Sequence, residues 1–298
     1  MGRYTSYYIY QKFEKRGEQD WIPAYPNTWS IDGEGTMPLS AKTENDPACG
    51  YVPPVEPIYR WNVVPGYLCY ECNPTKAIIN TSTSTYYISG TGEITASEVS
   101  AYTAAATDIV ISQGCTNIGN NAFANFSGLE FVRIPDNVTS VGDSAFVGCS
   151  AMTECQIPYG CQSIGASAFT NCISLSYADI PDTVTSIGNR AFSNCLNLAY
   201  ASITSALTSI PEFCFFNCDG LSYIELPSSI VSIGNSAFYN CSGLYTLTCN
   251  ATTPPTLGSY ALDGVNSNFK IYVPSGSLNT YKGASGWSNY SNKIYPIQ

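Results

Sequence analysis

One echo constrains this chain more than anything else in it. An Ile-Pro pair or its near equivalent recurs every 23 residues, at Ile134-Pro135, Ile157-Pro158, Ile180-Pro181, Ile203-Thr204 and Leu226-Pro227. A second column runs Phe123, Phe146, Phe169, Phe192, Phe215, Phe238, and a third Ile118, Val141, Ile164, Ile187, Ile210, Ile233. A fixed period of about 20–30 residues marks a stack of like units, each too small to bury its apolar side alone. The fold class predicted is a repeat solenoid of short parallel β-strands plus short helices. Most enzyme folds are excluded by it.

Composition narrows the function. Of the 298 residues 44% are hydrophobic and only 11% charged, with a formal net charge of −10. Between Lys76 and Lys270 the basic residues are Arg133 and Arg190 alone. Nothing resembles the basic stripe that neutralises phosphates, so neither nucleic acid nor an anionic membrane surface is an expected partner. No run approaches the roughly 18 apolar residues of a membrane span. The opening MGRYTSYYIYQKFEKR lacks the apolar core of a signal peptide. Its surface polarity comes from Tyr, Ser, Thr and Asn, so the reading is an extracellular or cell-surface protein whose export signal is not present in this sequence. There is no histidine, which removes Ser-His-Asp and Cys-His catalysis and histidine-bearing zinc sites.

Thirteen cysteines suggest disulfides until they are placed in register. Cys149, Cys172, Cys195, Cys218 and Cys241 form one column, where Phe126 stands in the first copy. Cys115 and Cys161 alternate with Val138, Val184, Leu207 and Ile230; Cys155 shares a column with Val132 and Ile224; Cys214 replaces an alanine; Cys249 continues the Ile/Leu column. All ten occupy apolar slots, where a free thiol packs as a small hydrophobe. Parallel side chains in register point the same way, which is poor geometry for a disulfide. Cys49, Cys69 and Cys72 lie outside the period, and one disulfide from Cys49 to Cys69 or Cys72 is expected there. The lone Cys69-x-x-Cys72, without a second pair or a histidine, is a weak zinc or redox signal. No cofactor and no metal are expected.

Residues 1–76 do not share the period and read as a small β-rich module, with aromatic runs at 7–10 and 58–61 as strands and the proline-rich 52–57 as a stiff connector. Residues 77–112 read as the N-terminal cap of the solenoid, in which Thr95 and Glu98 fit the capping box of a short helix. Copies run on to about 250, and 251–298 forms the C-terminal cap. There Ile271–Val273 is a strand, 277–283 a short helix, and Trp287 and Tyr295 the bulk that closes the core. Within a unit, Leu198, Ala201 and Ile203 follow an L-x-x-L-x-L spacing. Asn189 is positioned to cap a short helix carrying Ala191 and Phe192 inward, and Gly188 to let the chain bend. The asparagines of N-C-x-x-L (Asn171, Asn194, Asn217, Asn240) are expected to bond backbone groups of the turn.

The unit I-P-x-x-V-x-S-I-G-x-x-A-F-x-x-C-x-x-L resembles the BspA-like leucine-rich repeats of bacterial surface proteins. The resemblance covers roughly 86–298, and the ending PPTLGSYALDG…IYVPSGSLNTYK is similar to the termination of such arrays. It implies a leucine-rich-repeat solenoid and an adhesin or a binder of host or matrix proteins. It carries no set of binding residues.

The solenoid predicts which side chains face the open side of the sheet. One column reads Phe131, Glu154, Tyr177, Tyr200, Tyr223, Thr246; its neighbour reads Arg133, Gln156, Asp179, Ser202, Glu225, Thr248. Three consecutive tyrosines make an aromatic strip, with Asp179 and Glu225 beside it. The expected function is non-catalytic recognition of a host or matrix protein, or of a surface glycan, on this strip. The alternatives are a structural stalk or spacer, in which the tyrosines are only a ladder copied with the unit, and a glycan-binding module. Asp136, Asp182 and Asp219 fall in turns of different copies, which argues against a catalytic carboxylate pair. Calcium at Asp179 lacks loop-spaced ligands.

Overall fold

The structure is a computed structural model. It describes residues 84–88, 91–100, 103 and 106–297, together with the backbone of the strands Ile9–Glu14, Ile22–Pro23, Trp29–Ile31, Tyr59–Val63, Tyr67–Glu71, Lys76–Asn80 and Thr85–Ser89. The side chains of Cys49, Cys69 and Cys72, and the connector 52–57, lie outside the described residues.

Two compact units divide the chain, Met1–Gly90 and Thr91–Gln298. In the first, Ile9–Glu14 pairs antiparallel with Ile22–Pro23, Trp29–Ile31 and Tyr59–Val63. A separate antiparallel ladder joins Tyr67–Glu71, Lys76–Asn80 and Thr85–Ser89.

The second unit is a parallel solenoid, and its registers repeat the period seen in the sequence. Ser140 lies opposite Ser163, which lies opposite Ser186; Tyr177 faces Tyr200 and Tyr223 faces Thr246. Strands are two to four residues long and alternate in burial: Phe131 and Arg133 are exposed while Val132 between them is buried. Side chains on a strand alternate sides, so each coil sends one residue in two to the core. After Pro254-Pro255 the register slips, and Thr256 sits opposite Ser232.

Where short helices were expected inside the repeat, a run of tight turns is found. Its backbone N–H groups alternate between two destinations. In the coil around Phe192, Ala191 N donates to Gly188 O (3.3 Å) and Ser193 N to Arg190 O (3.0 Å), within the turn. Arg190 N, Phe192 N and Asn194 N instead donate to Glu212 O, Cys214 O and Phe216 O of the next coil, at 3.0, 2.9 and 2.7 Å. A helix would keep all of these bonds to itself; the turns release half of them to tie neighbouring coils together. Among the described residues two α-helices are found, at the ends of the unit. Ala96–Val99 is one, where Glu98 Oε2 accepts from Thr95 N (2.7 Å) as the capping box predicts, and also from Thr95 Oγ1 (2.8 Å). Leu278–Gly283 is the other.

Three residue assignments change accordingly. The Asn189 column does not cap a helix. Its members pass a bond along the stack: Asn120 Oδ1 accepts from Asp143 N (2.8 Å), and Asp143 Oδ1 accepts from Ala166 N (2.7 Å). Gly188 is required by proximity, because a Cβ there would lie 2.3 Å from Ala166 N. The asparagines of N-C-x-x-L hold positive φ, 63° at Asn171 and 59° at Asn194, a region asparagine tolerates. They bond one another, Asn194 Nδ2 to Asn171 Oδ1 and Asn217 Nδ2 to Asn194 Oδ1, each at 2.9 Å.

Two columns stand out in the core. Phe123, Phe146, Phe169, Phe192, Phe215 and Phe238 stack with centroids 5.2–5.5 Å apart and planes within 14°. Each such pair adds about 0.5–1.5 kcal/mol beyond burial. Beside them all ten repeat cysteines are buried and none is part of a disulfide. Their thiols have work to do: Cys149, Cys172, Cys195, Cys218 and Cys241 Sγ donate to Phe123, Phe146, Phe169, Phe192 and Phe215 O at 3.0–3.2 Å. Burial pushes the thiols of Cys149, Cys195 and Cys241 up to about 12.

One coil breaks the pattern. Pro211 stands in the glycine column, where Gly188 and Gly234 donate to Ile164 O and Ile210 O at 2.8 Å. Proline has no N–H to give to Ile187 O and carries the Cβ that the column excludes. The strand ladder ends there: Ser186–Ile187 and Ser209–Ile210 fall in separate sheets, and Ile187 is only half-buried. In the same coil Thr204 replaces the repeat proline, and its buried hydroxyl has no hydrogen-bond partner.

The C-terminal cap closes the stack with Trp287 and Tyr281, edge to face at 5.1 Å and both fully buried. Trp287 Nε1 donates to Pro255 O at 2.7 Å. Tyr295 is not part of this plug. It is 41% exposed and lies on the open face beside Tyr272, at 6.0 Å between centroids.

Candidate partner-binding face

The sequence placed Tyr177, Tyr200, Tyr223, Asp179 and Glu225 on the open face, and all five side chains emerge there between buried neighbours. Tyr177 and Tyr200 are directly opposed in parallel register, 40% and 48% exposed, with Ala178 and Ala201 buried behind them. Tyr223 follows in the next coil and is half-buried.

The strip is set in acid. The Glu154 carboxylate beside Tyr177 raises its phenol above the ordinary range. Burial, then the bond to Glu225, raises that of Tyr223. Tyr223 OH donates to Glu225 Oε2 at 2.7 Å, and Asn250 Nδ2 donates to Glu225 Oε1 at 2.8 Å. These two donors lower the Glu225 pKa. Asp179 is exposed, and Ser202 Oγ lies 3.2 Å from its Oδ1. Ser202 Oγ also accepts from Ile180 N at 2.7 Å. Asp179 and Glu225 are two coils apart and do not act as a pair. The geometry presents ring faces and carboxylates to solvent along the open face. It does not assemble a nucleophile with a base.

Sequence reasoning missed that this face continues into the cap. Lys270 follows Thr246 in register and Tyr272 follows Thr248; Tyr295 then follows Tyr272. Lys270 Nζ lies 5.9 Å from the Tyr295 ring centroid. The signal was present, since Lys270–Val273 has the alternation of a repeat strand, but the slipped spacing hid its register. The carboxylates Asp136, Asp182 and Asp219 are separated as expected. Asp136 borders an open cleft of about 540 Å³ with Gln113, Asn137 and Gln156, and is the one carboxylate lining it among the described residues. Among the described residues no group of three or more Cys, Asp or Glu is placed to hold a metal, and no helix is long and apolar enough to cross a membrane.

A sequence-family model for the BspA type leucine rich repeat region matches residues 95–222 and 186–291, in six copies. The chain belongs to the BspA-type leucine-rich repeat family. Solved structures similar to this BspA-type chain include a leucine-rich repeat protein of T. pallidum, 18% identical with a TM-score of 0.49 over 59% of this chain and 90% of the other. A leucine-rich repeat protein of Bacteroides ovatus ATCC 8483 is 20% identical, with a TM-score of 0.43 over 80% of this chain and 76% of its own. A leucine rich cell surface protein of Faecalibacterium prausnitzii A2-165 is 19% identical, with a TM-score of 0.30 over 74% and 96% of the two chains. A search of curated proteins finds no match. The BspA-type repeat accounts for the regularity of the open face, while the tyrosines and carboxylates on it belong to individual copies of this chain.

Proposed function

We propose that this protein is a non-catalytic, surface-exposed recognition protein that holds an extended segment of another protein across its open β-face. The observation that carries the reading is the in-register, solvent-facing pair Tyr177 and Tyr200 on strands whose other residues serve the core. Aromatic rings on a rigid sheet offer large contact area at small entropic cost. Glu154, Asp179 and Glu225 around them favour a segment bearing lysine or arginine, and the net charge of −10 assists its approach.

The test is a panel of immobilised host-matrix proteins probed with the full chain and with Tyr200→Ser. Tyr200 supports nothing in the core, so the variant keeps its melting temperature. Saturable binding to a panel member, weakened at least ten-fold in the variant and by added salt, is expected. Binding that ignores the substitution, or no binding at all, would leave the chain as an architectural spacer.

A further inference from the structure

Two aromatic residues sit where the backbone tolerates them least. One column of the turn run holds positive φ in every copy: Asn121 (56°), Ser144 (54°), Ser167 (56°), Arg190 (62°), Phe213 (56°), Ser236 (52°) and Tyr260 (59°). Bulky residues are disfavoured in this region, and five of the copies use asparagine, serine or arginine there. Tyr260 gains no compensating burial, since it is 66% exposed. A strained, solvent-facing ring points to something outside the fold.

It does not stand alone. The column beside it changes character in the same coils, from Ala124, Val147, Thr170 and Ser193 to Phe216, Tyr239 and Asp263. The Arg190 guanidinium lies 4.1 Å from the Phe213 centroid; Phe213 and Phe216 are 5.7 Å apart, and Phe216 and Tyr239 stack at 5.4 Å with planes 8° apart. Tyr260 stands between two shallow hollows. One, of about 260 Å³, is lined by Phe216, Ser236, Tyr239 and Tyr260. The other, of about 380 Å³, includes Ser259, Asp263, Asn289 and Tyr290 in its wall. Tyr290 OH donates to Asp263 Oδ1 at 2.9 Å, which fixes the carboxylate at the rim.

The lining selects the ligand class. Among the described residues lining the two hollows none is basic; Arg190 covers Phe213 at the far end, and Asp263 repels anions. The hollows are open and edged with hydroxyl, amide and carboxylate groups, unlike an apolar slot for a lipid chain. A flat ring flanked by neutral donors and acceptors fits a molecule with apolar C–H faces and hydroxyl edges. We propose that this turn-face patch is a binding site for a neutral oligosaccharide, with Tyr260 stacking against a sugar ring and Asp263, Asn289 and Ser259 engaging its hydroxyls. It is separate in residues from the tyrosine strip and does not depend on it.

Tyr260→Asn tests the site, because asparagine already occupies this column at Asn121. An array of neutral oligosaccharides is probed with the full chain, with Tyr260→Asn and with Tyr200→Ser. At least one glycan is expected to bind the native chain and Tyr200→Ser alike, and Tyr260→Asn at least ten-fold more weakly. The melting temperature of Tyr260→Asn is expected to stay level or rise, as relief of backbone strain requires. Absence of any neutral glycan ligand, equal binding by Tyr260→Asn, a lowered melting temperature, or a Tyr260-dependent ligand that proves to be a basic peptide would each overturn the proposal.

Discussion

Raising the pH should destabilise this protein through its thiols. Cys149, Cys195 and Cys241 are held in the core with pKa values of about 12, against 9.0 for an ordinary thiol, because burial penalises the thiolate. Their folded pKa values are raised, so their contribution is fully present below about pH 9 and is lost as pH climbs from there toward about 12. Over that window the unfolded chain releases protons that the folded chain keeps. Each thiol then forfeits about 1.4 kcal/mol per pH unit, which for these three is roughly 4 kcal/mol per unit. A domain holds only about 5–15 kcal/mol in all, so the two pH units above 9 remove a large part of its stability. The assay is urea unfolding under reducing conditions at pH 7, 9 and 10, comparing the native chain with the triple variant C149A/C195A/C241A. The variant is less stable at pH 7, having lost three buried groups and their bonds to phenylalanine carbonyls, but its stability falls less steeply above pH 9. Parallel pH profiles for the two proteins would show that these thiols are not sealed in the core.

Three substitutions test the packing. Phe192→Ala removes stacks at 5.2 and 5.5 Å and is expected to destabilise by about 3–5 kcal/mol in chemical denaturation. Gly188→Ala forces a Cβ to within 2.3 Å of Ala166 N; it should cost about 1–3 kcal/mol as overpacking and increase amide exchange at Ala166, while Gly276→Ala, in open space, leaves exchange unaltered. Thr204→Val removes the unpartnered buried hydroxyl at nearly constant shape and should stabilise by about 1–3 kcal/mol, read as a higher denaturation midpoint.

Much of this was legible in the sequence because a repeat states each contact several times. The phenylalanine and cysteine columns, the strand registers, the capping box at Thr95 and the outward face of Tyr177, Tyr200 and Tyr223 all follow from period and alternation. The turn run was read as helix because Gly188-Asn189-Arg190-Ala191-Phe192 has capping and apolar signals shared by both conformations. What decides between them is a positive φ at Arg190 and Asn194, which arginine in particular does not announce. The column of serines and asparagines around it was the available hint. Tyr295 was assigned to the plug on size alone, when its partner Tyr272 and the slipped register put it on the open face. Pro211 was visible as an exception to the glycine column, but its effect on the ladder needed the close approach between coils to be known.

The central claim is that successive 23-residue units are stacked neighbours, and spacing measures it. Nitroxide labels at Ser127 with Asp219, and at Ser127 with Ser242, span four and five steps of one exposed column. At about 4.8 Å per step, pulsed electron resonance should give narrow distributions near 19 and 24 Å, the second longer than the first by one step. Broad distributions, or distances that do not rise with the number of intervening copies, would contradict the account.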